Sequence, residues 1–516
     1  MALPFHSILA AKLNHMAFLS TAFVVFFAVV LLGLRLAPSR DLRRWLLLIA
    51  SGYFYATWKP AYLLVLAAPI VIDYFCALRI EGSDDPAVQR RWLAAGVSSN
   101  ILLLGYFKYT NFFLGNIAAI AGIAPRRLAI FLPLGISFFT FKAVSYVIEV
   151  YRGELRACRS FLRFAAYVSY FPDLLAGPIV RASVFLPQMR RSLRPTWPCT
   201  VVGSQMILLG LAKKLLIADQ MAIFADPVFA EPTVYSPLTV WSAVIAYSFE
   251  IYCDFSGYSD MAIGMSKIIG IDLPENFNMP YLAQSPIDFW RRWHMTLTNW
   301  LRDYIYFSLP GLRKSRWNRY RNAAITALLG GLWHGASWTF VSWGALHGLA
   351  VGANHWWIAR RRRLGREPRQ SVAVRLSCWL ATYLFLCVTW VVFRSPSFQG
   401  AGTMLRKMAG LSPGGIEWFY SPLLMVLPIV IAGHAIGVVA ARRAAAMHGA
   451  RKILPPQWVA SIYERARARF AIHPLAGVYV LLPLPGFIGA LLAASWVLTL
   501  LLFGATGSNP FIYFQF

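Results

Sequence analysis

Two histidines sit where their neighbours suit proton transfer. His334 lies in Gly330-Gly-Leu-Trp-His334-Gly-Ala-Ser-Trp338, inside an apolar run. An ionisable group amid apolar residues at membrane depth is expensive, so by default it points to function. Imidazole suits base chemistry because it titrates near neutrality. The flanking glycines allow close approach of a substrate or of another backbone. The plainer reading is a hydrogen-bonded core histidine. His347, in Trp343-Gly-Ala-Leu-His347-Gly348, lies 13 positions further on. That is about 220° around an ideal helix, so His347 is read as a packing or supporting residue.

His294 ends the stretch Ser285-Pro-Ile-Asp288-Phe-Trp-Arg-Arg-Trp-His294. Ser285 with Asp288 forms a capping box, and Pro286 falls at the first helical position. The pattern predicts one helix from there to Leu309, where Pro310-Gly311 stops it. Trp290, Trp293, Leu297, Leu301 and Tyr304 make its apolar stripe, and His294 shares another face with Arg291 and Thr298. The competing reading is an interfacial helix whose Trp and Arg contact headgroups. His294 is then incidental.

A third group is Tyr252-Cys-Asp254-Phe-Ser256-Gly257-Tyr258-Ser-Asp260. Its carboxylates and hydroxyls suit an acid/base pair or a cation site, but a polar turn supporting a cavity explains them as well. Lys142, in an otherwise apolar stretch, needs a partner or a water path.

The elements that must position these groups are membrane helices. Of 516 residues, 58% are hydrophobic and 14% charged, with a mean hydropathy of +0.55. Soluble proteins carry about 25% charged residues. The apolar excess recurs along the whole chain, which excludes a soluble enzyme with a tail and a disordered protein. The formal charge is +28 and the pI near 10.2. The basic residues crowd short loops: Arg35, Arg40, Arg43 and Arg44; Arg360–Arg363 with Arg366 and Arg369; Arg465, Arg467 and Arg469. That pattern marks cytoplasmic loops and contact with lipid headgroups rather than nucleic acid. Six cysteines without CxxC spacing give no support to a metal site or a disulfide framework.

Apolar segments lie near 16–34, 45–57, 60–80, 93–120, 128–150, 164–180, 201–225, 236–253, 323–358, 375–394, 422–441 and 476–503. They predict an all-α polytopic protein with about ten to twelve membrane segments, some of them re-entrant or broken. The first run, Met16–Leu34, is long enough to span, so it reads as a membrane segment rather than a cleavable signal, with Met16 an alternative start. No internal repeat is visible, which weakens a transporter built from inverted halves. The basic loops at 360–369 and 442–469 are separated by two spans and fall on one side, the cytoplasm; the uncharged tail Gly507–Phe516 falls outside. From Asn322 to Ala359, 38 residues carry no Asp, Glu, Lys or Arg. As one helix that is about 57 Å, nearly twice the hydrocarbon core. A break beside His334 is therefore expected.

Taken together these stretches resemble the membrane-bound O-acyltransferase (MBOAT) family, in its alginate O-acetyltransferase (AlgI-like) branch. The resemblance rests on Leu132-Pro-Leu-Gly-Ile-Ser-Phe-Phe-Thr-Phe141, Phe171-Pro-Asp-Leu-Leu-Ala-Gly-Pro-Ile-Val-Arg181, Asp254-Phe-Ser-Gly-Tyr-Ser-Asp-Met-Ala-Ile-Gly264, Glu275-Asn-Phe-Asn-Met-Pro-Tyr281, Phe289-Trp-Arg-Arg-Trp-His294 and Leu332-Trp-His-Gly-Ala-Ser-Trp338. It is dense over about 130–355 and looser outside, and the ending Pro510-Phe-Ile-Tyr-Phe-Gln-Phe516 also resembles the branch. The departures are Lys142 where Gln is expected and Leu309-Pro310-Gly311 where a Gly-Gly turn is expected.

The resemblance implies a single integral membrane domain over 1–516, with a catalytic core at 130–355 and further C-terminal helices at 360–516. It makes His334 the catalytic histidine and His294 the second active-site histidine. Trp333 and Trp338 then wall a channel, with Asp254, Ser256, Tyr258, Arg291 and Asn278 as further channel or substrate residues and no metal. The implied activity moves acetyl groups from a cytoplasmic donor, acetyl-CoA, toward an extracytoplasmic polysaccharide such as alginate. Arg313–Arg321 is a candidate to attract the donor's phosphates, and solvated topology charge explains it equally well. No bound cofactor is implied. The implied setting is the bacterial inner membrane, beside a periplasmic acetyltransferase and polysaccharide-secretion proteins. Acylation of cellulose, a lipid, a teichoic-acid carrier or a protein is the nearest alternative, and an acyl or glycan transporter without covalent chemistry is the more distant one.

Overall fold

The computed structural model describes residues 18–191, 193–311, 315–365, 371–434 and Phe511. The helices, in chain order, begin with α1 (Thr21–Leu36), α2 (Arg40–Ala56), α3 (Leu63–Glu81), α4 (Pro86–Leu104), α5 (Thr110–Ala121) and α6 (Ile136–Tyr151). The middle of the chain holds α7 (Phe161–Val168), α8 (Ala182–Gln188), α9 (Trp197–Ala212), α10 (Asp219–Ala230) and α11 (Pro237–Ile269). Then follow α12 (Pro286–Trp290), α13 (Met295–Leu301), α14 (Arg316–His334), α15 (Trp338–Arg363), α16 (Val372–Arg394), α17 (Phe398–Met408) and the apolar helix α18 (Ser421–His434). Among the described residues the only extended pairing is one isolated bridge, Tyr235 with Ile416. The all-α membrane fold is thus what the sequence predicts.

Among the described residues, three helical stretches are long and apolar enough to cross a membrane: Pro60–Glu81, Trp197–Ala230 and Val372–Arg394. Most other apolar segments are interrupted or carry charge that is buried in protein. The stretch at 93–120 is two helices joined by a π-helical segment, Gly105–Tyr109. A second π segment, Lys213–Ala218, joins α9 to α10. The segment at 164–180 departs from expectation: its helix ends at Val168, and the backbone to Val180 is irregular yet buried. Irregular backbone at membrane depth is tolerated where protein covers it. The alternative start at Met16, Arg313, Arg366, Arg369, Arg465, Arg467, Arg469, the segment 476–503 and all of the tail except Phe511 lie outside the described residues.

The centre is α11, buried over almost its whole length. It packs on α9 because both helices present glycines seven residues apart. A Cβ on Gly203 would lie 2.4 Å from the Gly264 carbonyl oxygen, and one on Gly210 2.4 Å from that of Gly257. Small residues at such crossings let the backbones touch. Lipid-facing positions are apolar, as at Val24, Val25, Val29 and Leu32 of α1, all more than half exposed.

Two neighbouring lysines, Lys214 buried and Lys213 half-buried, explain the polar stretch inside α11. Tyr252–Asp260 is helix, not the turn that its glycine and hydroxyls suggest. Lys214 bridges Asp254 (2.6 Å) and Asp219 (2.8 Å). Lys213 donates to Asp260 (2.6 Å) and to the Ser256 hydroxyl (2.7 Å). Lys142 finds its partner in Asp173, at 2.8 and 3.1 Å, with both side chains almost wholly buried. Buried charges persist when paired in this way.

Candidate active site

His334 is the last residue of α14. Ser315 starts that helix by accepting from the Asn318 N–H (3.1 Å). After His334 the chain runs extended through Gly335, and Ser337 opens α15 by accepting from the Thr339 N–H (3.1 Å). The overlong apolar segment is therefore broken beside the histidine, as its length and glycines predict. The glycines serve backbone approach between the two helices. A Cβ on Gly331 would sit 2.3 Å from the Phe340 carbonyl oxygen, and one on Gly344 2.4 Å from that of Ala327. A Cβ on Gly335 would strike the Phe340 ring at 2.2 Å. The imidazole of His334 is buried against Trp333, Trp343 and Phe393, with ring centroids 5.0, 5.1 and 5.3 Å away.

His294 is fully buried and reaches the same place by a different route. The single helix predicted from Ser285 to Leu309 is instead α12, a turn, α13 and a π segment, Arg302–Tyr306. The capping box does start α12: Ser285 accepts from the Asp288 N–H (3.2 Å). The Asp288 carboxylate takes the Gln284 N–H (3.2 Å) and pairs with Arg292 (2.9 Å). His294 then adopts left-handed backbone, φ 42° and ψ 53°. That region is uncommon without glycine, though histidine enters it more readily than most residues.

Tertiary bonds hold the break open. The Met295 N–H donates to the Asn276 carbonyl (2.9 Å), and the Thr296 hydroxyl donates to the Asn276 side-chain oxygen (2.8 Å). Asn276 Nδ2 donates to the Ser259 hydroxyl (3.2 Å), tying the turn to α11. The Asn278 N–H donates to the Arg292 carbonyl (2.8 Å). An apolar stripe in sequence cannot reveal this pairing, because it depends on an irregular segment that precedes it in the chain.

Both histidines meet at Trp333, whose indole lies 5.9 Å from the His294 ring and 5.0 Å from the His334 ring. Phe255 of α11 closes on His294 at 4.6 Å, edge to face. Phe138 and Phe141 of α6 lie 5.5 Å from Trp333. His347 is buried in the neighbouring aromatic layer, 4.6 Å from Trp343 and 5.2 Å from Trp290. It has no hydrogen-bond partner among the described residues. That is the packing position expected of it.

The other predicted residues are dispersed. Trp338 is half exposed and donates to Asn116 Oδ1 (2.7 Å), so it does not join Trp333 at the histidines. Asp254 and Ser256 belong to the lysine network of α11. Tyr258 stacks on Phe18 and Phe511 at 4.5 and 4.6 Å. Arg291 is exposed, and Asn278 takes part through its backbone. Two residues that the sequence reading missed do reach the site. One is Asn276; the other is Lys108, the single charge in the apolar stretch 93–120, which was the signal available for it. No group of three metal-ligating side chains occurs among the described residues.

A buried pair of histidines on one indole, enclosed by helices with apolar outer faces, is the candidate site of a helical membrane protein. Comparison with known proteins assigns it. Residues 152–393 match the MBOAT, membrane-bound O-acyltransferase, family model, a range that includes both histidines. The chain is 38% identical over 527 residues to the probable alginate O-acetylase AlgI of Azotobacter vinelandii, covering 97% of this chain and all of that protein. It is 41% identical over 401 residues to the probable alginate O-acetylase AlgI of Pseudomonas aeruginosa, covering 76% of this chain and 75% of that one. A peptidoglycan O-acetyltransferase of Helicobacter pylori is 38% identical over 71% of this chain and 73% of its own. The chain belongs to the membrane-bound O-acyltransferase family and is an acyltransferase.

Proposed function

We propose that this protein is a multi-pass enzyme of the bacterial inner membrane that passes acetyl groups from cytoplasmic acetyl-CoA toward an exopolysaccharide outside. The observation that carries the reading is the meeting of His294 and His334 on Trp333 in a buried, aromatic site. In this reading the catalytic core is 130–355. His334 takes the proton of the acceptor hydroxyl as its oxygen attacks the thioester carbonyl. The tetrahedral intermediate collapses with cleavage of the carbon–sulfur bond, and the imidazolium returns the proton to the departing thiolate. His294 orients the acceptor or donates to the developing oxyanion. The apolar walls exclude water, which would otherwise consume the thioester.

The relatives named probable alginate O-acetylase support alginate, an exopolysaccharide, as the final acceptor; in this reading a periplasmic acetyltransferase completes the transfer. The peptidoglycan O-acetyltransferase supports a second acceptor, the cell-wall glycan. Deleting the gene and measuring ester-linked acetate in both polymers decides between them. The His334→Ala variant, at wild-type membrane abundance, is expected to give no acetate above the deletion background. Acetylation near the wild-type level would overturn the catalytic assignment.

A further inference from the structure

Lys108, half-buried beside the site, differs from the other lysines near it. Lys142, Lys213 and Lys214 each pair with aspartate. Lys108 pairs with no carboxylate among the described residues. Its Nζ donates instead to two carbonyls, those of Trp333 (2.5 Å) and His334 (3.2 Å). The third direction is filled by the Ser137 hydroxyl of α6 at 3.4 Å. The next residue, Tyr109, donates its hydroxyl to the Leu332 carbonyl (2.9 Å). The last three carbonyls of α14, leading to the histidine, are thus all held from one place.

That place is the π-helical segment Gly105–Tyr109 between α4 and α5. Inserted turns of this kind recur at functional sites. The final carbonyls of a helix have no partner within it and carry the negative end of its dipole. A lysine ammonium satisfies both needs at once. It also fixes how far α14 can unwind or slide against α6. The ammonium also lies over the Trp333 indole, 5.8 Å from the ring centroid.

We propose that Lys108 is a positioning residue for acyl transfer, acting through the last turn of α14 to hold the His334 imidazole and the Trp333 indole. The proposal rests on the reading of His334 as the catalytic histidine. Its test is the initial rate of transfer from labelled acetyl-CoA in membrane vesicles at matched protein abundance. In Lys108→Met, kcat is expected to fall about tenfold to a hundredfold, the scale of a misplacement near 1 Å, with the KM for acetyl-CoA unchanged. Lys108→Arg, which keeps charge and donors, is expected to return most of the loss. Wild-type kcat in Lys108→Met, or Lys108→Arg no better than Lys108→Met, overturns the proposal. If Lys108→Met does not accumulate, Lys108→Gln replaces it, with the same expectation for kcat and the same overturning result. An active His334→Ala would sink the reading beneath; an inactive His334→Ala beside a fully active Lys108→Met sinks this proposal alone.

Discussion

The ring of Trp333 packs against His294 at 5.9 Å although Trp333 lies on α14 and His294 in the turn that precedes α13. Trp333 precedes His334 on α14, so a single indole sets the relation between the two imidazoles. Trp333→Leu is expected to lower acetyl transfer about tenfold or more by releasing both rings. Trp338 is half exposed and bonded to Asn116, so Trp338→Leu should keep more than half of the activity. Acetate release from washed polysaccharide, normalised to membrane abundance, compares them. Equal losses would refute the separation of roles.

The glycine spacing between α14 and α15 makes a sharper test, because two glycines on this hairpin face opposite surroundings. Gly331→Ala places a Cβ 2.3 Å from the Phe340 carbonyl oxygen, backbone that cannot swing aside. A loss of about 1–3 kcal/mol is expected from such overpacking. A Cβ on Gly352, inside α15, meets nothing within 4 Å. Gly352→Ala should therefore be neutral or more stable by about 0.4–1 kcal/mol. Thermal unfolding in detergent separates the two.

Lys142 and Asp173 form a buried pair, and the two substitutions should not add. Lys142→Met leaves an aspartate buried without its cation, at an expected cost of about 3–5 kcal/mol. Lys142→Met combined with Asp173→Leu removes both charges and should recover most of that loss. Melting temperatures of the wild type, the two single variants and the double variant form the cycle. A double variant as unstable as the sum of the singles would show that the pair is not coupled.

Sequence alone displayed some of this architecture and concealed the rest for definite reasons. The break beside His334 was legible because no bilayer accommodates 38 uncharged residues in one straight crossing, and because Gly335 and Ser337 supply a stop and a start. The start at Ser285 was legible because capping is local. The interruption at His294 was not, since Trp290, Trp293, Leu297 and Leu301 continue the helical stripe through it. It is enforced by Asn276, across the chain. The acidic stretch at Asp254–Asp260 does not look helical in sequence, because the lysines that make it tolerable in a helix lie some forty positions away, at Lys213 and Lys214. Trp338 shares a motif with His334, yet the helix reversal between them sends it toward α5.

Asn276 is the residue on which the left-handed turn at His294 most depends. Its backbone carbonyl holds Met295, its side-chain oxygen holds Thr296, and its amide nitrogen reaches Ser259 on α11. Thr296 in turn accepts from the Ile179 N–H (3.0 Å), so the clamp extends to the irregular segment after α7. Asn276→Ala leaves the buried Thr296 hydroxyl without its acceptor, an expected cost of about 1–3 kcal/mol. The activity loss at matched abundance should exceed what that instability explains, because the turn at His294 is then held only by the Met295 N–H on the residue 276 carbonyl, without its ties to Thr296 and Ser259. Asn276→Asp keeps the acceptor for Thr296 but loses the donor to Ser259, and should fall between the wild type and Asn276→Ala. The expected order of transfer rates is wild type, Asn276→Asp, then Asn276→Ala. An Asn276→Ala enzyme with wild-type transfer would mean that the turn at His294 is held by its packing against Phe255 and Trp333 rather than by this clamp.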